Sequence, residues 1–273
     1  MSPGDGPHTF GCMSQFSLDG KVALITGGGR GIGAGIARAF ADSGAAVALT
    51  ARTAEQLDAT ADEIRAEGGT ALTLPADITD LTQLPELVDR TVTELGGIDT
   101  LVNCAGGGDM WSPFLDTNVD VLEEAFHFNV SVPFELSRLC VPHLLERPGA
   151  SIINIVSHAI SLETRGHLAY DASKGALLYA TRAMAADLGP RIRVNGIHPG
   201  AVETEAMLAV VEQVPEVRDI LVEHTRMRRN GTPEDIGMAA VFLASPASGW
   251  ITGKLLDVDG GTVGELRPMF PDL

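Results

Sequence analysis

Tyr170 and Lys174 stand four residues apart in Tyr170-Asp-Ala-Ser-Lys174, a spacing that puts both side chains on one face of a helix. A phenol beside an ammonium is a device for moving a proton. A free phenol of pKa near 10 is about one part in a thousand ionised at pH 7, and a neighbouring cation favours the tyrosinate; a three-unit shift corresponds to ~4 kcal/mol. With two tyrosines and three lysines in 273 residues, a chance YxxxK is expected roughly 0.02 times. Ser157 closes the apolar run that begins at Ile152, where a parallel sheet places its ligand crevice. Its hydroxyl can hold a substrate oxygen beside the phenol; serine is also common as a turn residue or helix cap.

A second group of residues suits a phosphate-bearing ligand. The run Val22–Thr26 passes directly into Thr26-Gly27-Gly28-Gly29-Arg30-Gly31-Ile32-Gly33, and a helical pattern starts at once. Glycines let the backbone turn off the strand and come close to a pyrophosphate, and the helix N-terminus presents free N–H groups. The pattern reads TGxxxGxG rather than GxGxxG, and in its strand-turn-helix context it predicts a dinucleotide site, the alternative being a merely tight turn. The next strand ends at Ala51-Arg52, so the acid that would accept from a ribose 2′-hydroxyl is missing. Arg52, with Arg30, suits a 2′-phosphate and so NADP(H), with NAD(H) as the lesser option; the alternative is two solvated surface arginines.

The elements that must hold these groups follow from periodicity. Strand-length apolar runs occur at 22–26, 47–50, 71–74, 100–103, 152–157, 192–197 and 255–258. Most are separated by amphipathic helical segments such as Ile32, Ile36, Ala39, Phe40 and Leu57, Ala61, Ile64. This alternation predicts a parallel sheet covered by helices on both faces. Residues 1–16, polar and Gly/Pro-rich, are expected to be a disordered leader and 17–273 a single dinucleotide-binding catalytic domain. The segment 204–230, helical in pattern, is expected to be a mobile lid.

Composition narrows the partners. A net charge of −17 with no concentrated basic stretch argues against nucleic acid, and no apolar run approaches the ~20 residues of a membrane span. No secretion signal is apparent. Three scattered cysteines, Cys12, Cys104 and Cys140, fit neither a disulfide framework nor a zinc site, so no metal is expected and a cytoplasmic location is.

Taken together, TGGGRGIG (26–33), NCAG (103–106), Asn129, Ser157, YxxxK (170–174) and Pro199-Gly200 with Thr204 resemble the short-chain dehydrogenase/reductase family over about residues 17–262. The resemblance implies a three-layer Rossmann-type α/β fold with a seven-stranded parallel sheet. It also implies hydride transfer between a nicotinamide cofactor and a secondary alcohol or ketone. On this chain it makes Tyr170 the general acid/base, Ser157 the group that positions substrate, Lys174 the holder of the nicotinamide ribose, and Asn129 part of a water relay. Pro133, four residues after Asn129 in a helical segment, cannot donate to the Asn129 carbonyl, which agrees with that last role; an ordinary proline bend is the alternative.

Cofactor contacts implied by the resemblance are Gly27, Gly29, Arg30, Gly31, Ile32, Gly33, Arg52, Asp77 and Ile78, then Asn103, Ala105, Gly106, Tyr170, Lys174, Pro199, Gly200, Val202 and Thr204. Cys104 in place of the usual second Asn, and His198 before Pro-Gly, depart from the family pattern and are read as packing residues without a ligand partner. Finer features look most like the 7α-hydroxysteroid dehydrogenase branch. Trp111, Phe114, Ile160, Leu162, His167, Met207 and Leu208 are candidate walls for a hydrophobic, steroid-like substrate. Alternatives are a β-ketoacyl-carrier-protein reductase, with Arg226, Arg228 and Arg229 as the landing patch, and a non-catalytic cofactor-sensing protein. Family members usually form homotetramers through helices around 117–147 and 168–188 and through the C-terminal strand, and the tail 262–273 is expected to cross to a neighbour.

Overall fold

The computed structural model describes residues 15–108, 111–162, 164–214 and 216–262. The expectations for a leader (through residue 14) and for the tail (from residue 263) lie outside the described residues. The strands are β1 (Val22–Thr26), β2 (Ala46–Ala51), β3 (Thr70–Pro75), β4 (Thr100–Asn103), β5 (Ser151–Ile155), β6 (Arg193–Pro199) and β7 (Leu255–Val258). They form one sheet in the order β3-β2-β1-β4-β5-β6-β7, every pair parallel.

Neighbouring residues of a strand serve opposite faces, which explains the continuous apolar runs. Ile25 of β1 packs with Ile36 and Phe40 of α1 (Gly31–Asp42), Leu57 and Ile64 of α2 (Ala54–Ala66) and Ile236 of α9 (Pro233–Ala244). Leu24 faces the other way, onto Leu87 of α3 (Leu84–Leu95), Leu136 of α5 (Val132–Leu144) and Ala185 of α6 (Leu168–Leu188). Each fully buried Leu, Ile or Phe contributes roughly 1.5–3 kcal/mol, so both faces are held by apolar burial.

Chain order reverses beside β1, which runs out to β2 and β3 and returns as β4 on its other side. At such a switch point the carboxyl ends of the strands diverge and leave a crevice. Thr26 closes its floor: its Oγ1 accepts from the N–H groups of Cys104 (3.0 Å) and Ala105 (2.9 Å), tying the end of β1 to the end of β4.

Two details depart from the sequence-based expectation. The run expected to be a strand through Ser157 ends at Ile155, and Ser157 instead starts a short 3-10 turn, His158–Ser161. Between α4 (Val119–Phe126) and α5 lies a π-helical turn, His127–Ser131, rather than a simple proline bend; the Val132 N–H bonds to the His127 carbonyl. A π turn absorbs an extra residue inside a helix and is common at functional sites. The segment 204–230 is helical as expected, with α7 (Glu205–Gln213) and α8 (Glu216–Glu223).

Candidate active site

Over the carboxyl ends of β1, β2 and β4 lies a cleft of about 1040 Å³ lined by the glycine turn, Arg52, Asp77 and residues 104–108. Its size suits a ligand larger than most small metabolites. The cradle is made of backbone. A Cβ added to Gly33 would stand 2.1 Å from the Gly27 carbonyl oxygen, so only glycine lets α1 begin this close to the turn. No side chain caps that helix and no acid lies in its first turn, leaving its N–H groups and partial positive charge for an anion. These residues fit the pyrophosphate of a dinucleotide.

Also on the cleft, Arg30 and Arg52 are both exposed, and neither side chain has a hydrogen bond or ion pair with another described residue. No carboxylate occupies the end of β2. The nearest expected acid, Asp77, is held below the usual carboxylate range by the Thr79 hydroxyl (2.7 Å) and backbone N–H (3.1 Å), with a smaller effect from Arg52.

The proton-handling residues come from three elements. Tyr170 and Lys174 lie in the first turns of α6, and Ser157 follows β5. Ser157 caps the 3-10 turn by accepting from the Ala159 N–H (3.3 Å), and its hydroxyl opposes the upward push on the Tyr170 phenol by hydrogen bonding to it. Lys174 is 3% exposed, its ammonium 5.8 Å from the centre of the Tyr170 ring and donating to the Ile155 carbonyl (2.9 Å). Burial lowers its pKa to about 8, with a small opposing effect from Cys104.

The phenol does not follow the expectation of a depressed pKa. Burial pushes it upward, against the opposing hydrogen bond from Ser157. The physical reason is that burial penalises the tyrosinate outright, whereas the Lys174 ammonium is turned to the Ile155 carbonyl. Burial thus favours the protonated form of the Tyr170 phenol.

Asn129, fully buried in the π turn, grips Gly107 in both directions: its amide donates to the Gly107 carbonyl (2.7 Å) and its Oδ1 accepts from the Gly107 N–H (3.1 Å). The amide also donates to the Ala125 carbonyl and to Ser173 of α6. Gly106 roofs the group, because a Cβ there would meet Lys174 Nζ at 2.7 Å and Asn129 Oδ1 at 2.8 Å.

Of the expected cofactor contacts all but six line the cleft; the exceptions are Asn103, Tyr170, Lys174, Pro199, Gly200 and Val202. Asn103 turns inward, donating to Asn154 (2.8 Å) and Ser137 (3.2 Å), and so locks β4 to β5 and α5. Pro199, Gly200 and Val202 pack at the ends of β6 and β7 and against Gly231. Thr204 does close over the glycine turn, its Cγ2 3.2 Å from where a Gly31 Cβ would stand. None of the seven candidate substrate walls lines the cleft. Trp111 meets His167 edge-on at 4.2 Å, while Phe114 and Leu208 are exposed.

Sequence reasoning passed over Thr53, Gln56, Glu123, Glu124 and Glu205, which line the cleft. Thr53 and Gln56 follow Arg52 into α2, a position that local pattern reveals; the glutamates carry no local signal. His198 needs correcting. It is not without partners: its Nδ1 lies 2.8 Å from Asp257 Oδ1, because the β6–β7 register sets His198 opposite Asp257.

A family model described as "Enoyl-(Acyl carrier protein) reductase" matches residues 27–263. An uncharacterized oxidoreductase of Mycobacterium tuberculosis is 46% identical over 96% of this chain and 99% of its own length. The 7alpha-hydroxysteroid dehydrogenase of Escherichia coli K12 is 42% identical over 92% of this chain and 97% of its own. A solved structure of a 7 alpha-hydroxysteroid dehydrogenase complexed with NADH and 7-oxo glycochenodeoxycholic acid superposes with a TM-score of 0.88 at 42% identity, covering 93% of this chain and 98% of that one.

Proposed function

The chain belongs to the short-chain dehydrogenase/reductase family and is an oxidoreductase acting on CH–OH groups, and on that premise we propose that it interconverts a bulky hydrophobic secondary alcohol and its ketone with NADP(H). The observation that carries this reading is the convergence of Ser157, Tyr170 and Lys174, with the Lys174 ammonium 5.8 Å from the centre of the Tyr170 ring, beside a glycine cradle shaped for pyrophosphate. Bound in the cleft, a nicotinamide supplies or accepts the hydride.

The protein residues do the rest. Ser157 holds the substrate oxygen, and Tyr170, kept protonated by its burial, donates its proton to that oxygen in the reducing direction and takes one back in oxidation. Lys174 holds the nicotinamide ribose and supplies positive charge under the phenol. Asn129 positions a relay water, its π turn and its two-way grip on Gly107 supporting that place. Arg52 and Arg30, unengaged at the end of a strand lacking an acid, select the 2′-phosphate. The relative solved with NADH also holds a steroid, which supports a substrate of similar bulk here.

The family description brings an acyl-carrier substrate forward as a second reading. Two of the three arginines of its landing patch are already engaged: Arg229 makes two hydrogen bonds to Asp235 (2.6 and 2.9 Å), and Arg228 donates to the Glu223 carbonyl. Among the described residues no helix is long and apolar enough to cross a membrane. Exposed Phe134 and Tyr179, on α5 and α6, support a homotetramer built on these helices.

Loss of NADPH absorbance across a panel of ketosteroids, aromatic ketones and acyl thioesters tests the reading. Turnover of a bulky ketone, with NADPH favoured over NADH, is expected; faster turnover of an acyl thioester, or equal use of both cofactors, overturns it.

A further inference from the structure

Next to Ser157, outside the proton-handling group, two imidazoles and two carboxylates converge. His158 stands in the 3-10 turn, His198 at the end of β6, Asp257 in β7, and Asp259 just beyond it. The ring centres of His158 and His198 are 4.9 Å apart. His198 Nδ1 lies 2.8 Å from Asp257 Oδ1, and His158 Nδ1 lies 3.3 Å from Asp259 Oδ2. One ligand atom from each of His158, His198 and Asp257 falls within a 4.8 Å span.

We propose that His158, His198 and Asp257, backed by Asp259, form a binding site for a divalent transition-metal ion of the zinc class. The proposal does not depend on the catalytic reading.

Three observations carry it. First, the nitrogens are unsatisfied: His158 Nδ1 and His198 Nε2 are buried and have no hydrogen-bond partner, although the His198 side chain is only 4% exposed. An orphaned buried lone pair costs free energy unless something occupies it. Secondly, the spacing is close to what coordination needs. Tetrahedral bonds of about 2.0–2.2 Å set ligand atoms about 3.3–3.6 Å apart, and the ligand atoms of His158, His198 and Asp257 lie within 4.8 Å of one another, so closure takes movements on the order of 1 Å. Thirdly, the charges match, because two carboxylates and two neutral imidazoles carry the −2 that a divalent cation neutralises. Asp257 is 65% exposed, which gives the ion an entrance.

Imidazole and carboxylate favour zinc, cobalt or nickel over magnesium and calcium, which prefer all-oxygen shells. A bound ion would join the turn that starts at Ser157 to the β6–β7 end that carries Pro199-Gly200. Its first effect is therefore on the rigidity of that wall.

Cobalt(II) reports the site without any assay of turnover. Full-length protein, freed of metal by a chelator and titrated with Co2+, is expected to develop the intense visible bands of a four-coordinate ion, displaced by Zn2+ and not by Mg2+. Zn2+ at about a hundred times its Kd is expected to raise the unfolding midpoint by roughly 5–10 °C. His158→Asn and Asp259→Asn should each weaken Co2+ binding at least tenfold in folded protein; His198→Gln, if it folds, should abolish the bands. Bands of undiminished strength in both His158→Asn and Asp259→Asn would place the metal elsewhere and overturn the assignment, as would wild-type protein that shows no bands at millimolar Co2+.

Discussion

The two halves of the candidate site, the cleft itself and the group beside it, are built on opposite principles. The half around the glycine turn is made of backbone, where missing side chains create the space and the charged groups, Arg30 and Arg52, stand at the rim in solvent. The half around Tyr170 is made of side chains from three elements, packed out of water, and its ionisable groups are shifted by that burial. The first half should therefore suffer from atoms added and the second from atoms removed. It should also follow that rim charge sets which cofactor is chosen, while the buried group sets how fast the chemistry runs.

The sharpest break in this contrast is Tyr170→Phe, which deletes one oxygen and leaves the ring. Turnover should fall by about 10²–10⁴, while the Kd for NADPH, measured by fluorescence quenching, stays within about twofold. Comparable losses in both quantities would mean that the halves are not separable. Next in size is Arg52→Asp. Removing a charge-assisted contact and adding a repulsive one should shift the kcat/KM ratio of NADPH to NADH by roughly 10–100-fold towards NADH, with kcat at saturation little changed. An unaltered ratio would return Arg52 to the solvated surface.

Gly33→Ala probes the opposite sensitivity. The added carbon meets the Gly27 carbonyl at 2.1 Å, and overpacking of this kind costs roughly 1–3 kcal/mol. Weaker cofactor binding and a lower unfolding midpoint are expected, with normal kcat at saturating cofactor; a binding constant like that of the native protein would show that the cradle yields easily.

The smallest effect within the assay range concerns pH. Lys174, lowered to about 8, carries its charge below that value and loses it above. If the charge under the phenol matters, kcat/KM for ketone reduction is level from pH 6 to 7.5 and declines above pH 8, by at most about tenfold at pH 9. A profile flat to pH 10 would assign Lys174 a purely steric part.

Much of the first half was readable locally. A strand, a glycine run and a helix follow one another within a few residues, so β1 and the turn into α1 appear as the sequence predicts. YxxxK was equally visible, because helical spacing alone puts the two groups on one face. The second half was readable only as a set of residue types. Ser157 was assigned to a strand and proved to be a cap as well as a hydroxyl partner. His198 was read as packing because its partners, His158 and Asp257, lie 40 and 59 positions away in the chain. Asn103 was assigned to the cofactor, and its side chain ties β4 to β5, a role that exists only once those strands pair.

By itself the sequence determined the order of strands and helices, the anion cradle and the pairing of Tyr170 with Lys174, since each depends on backbone preferences and spacings of a few residues. Tertiary structure decided that the phenol keeps its proton, that Asn129 sits in a π turn gripping Gly107, and that two histidines meet two aspartates. Those outcomes depend on how much water is excluded and on which strands lie side by side, quantities that come into being only when distant segments are packed together.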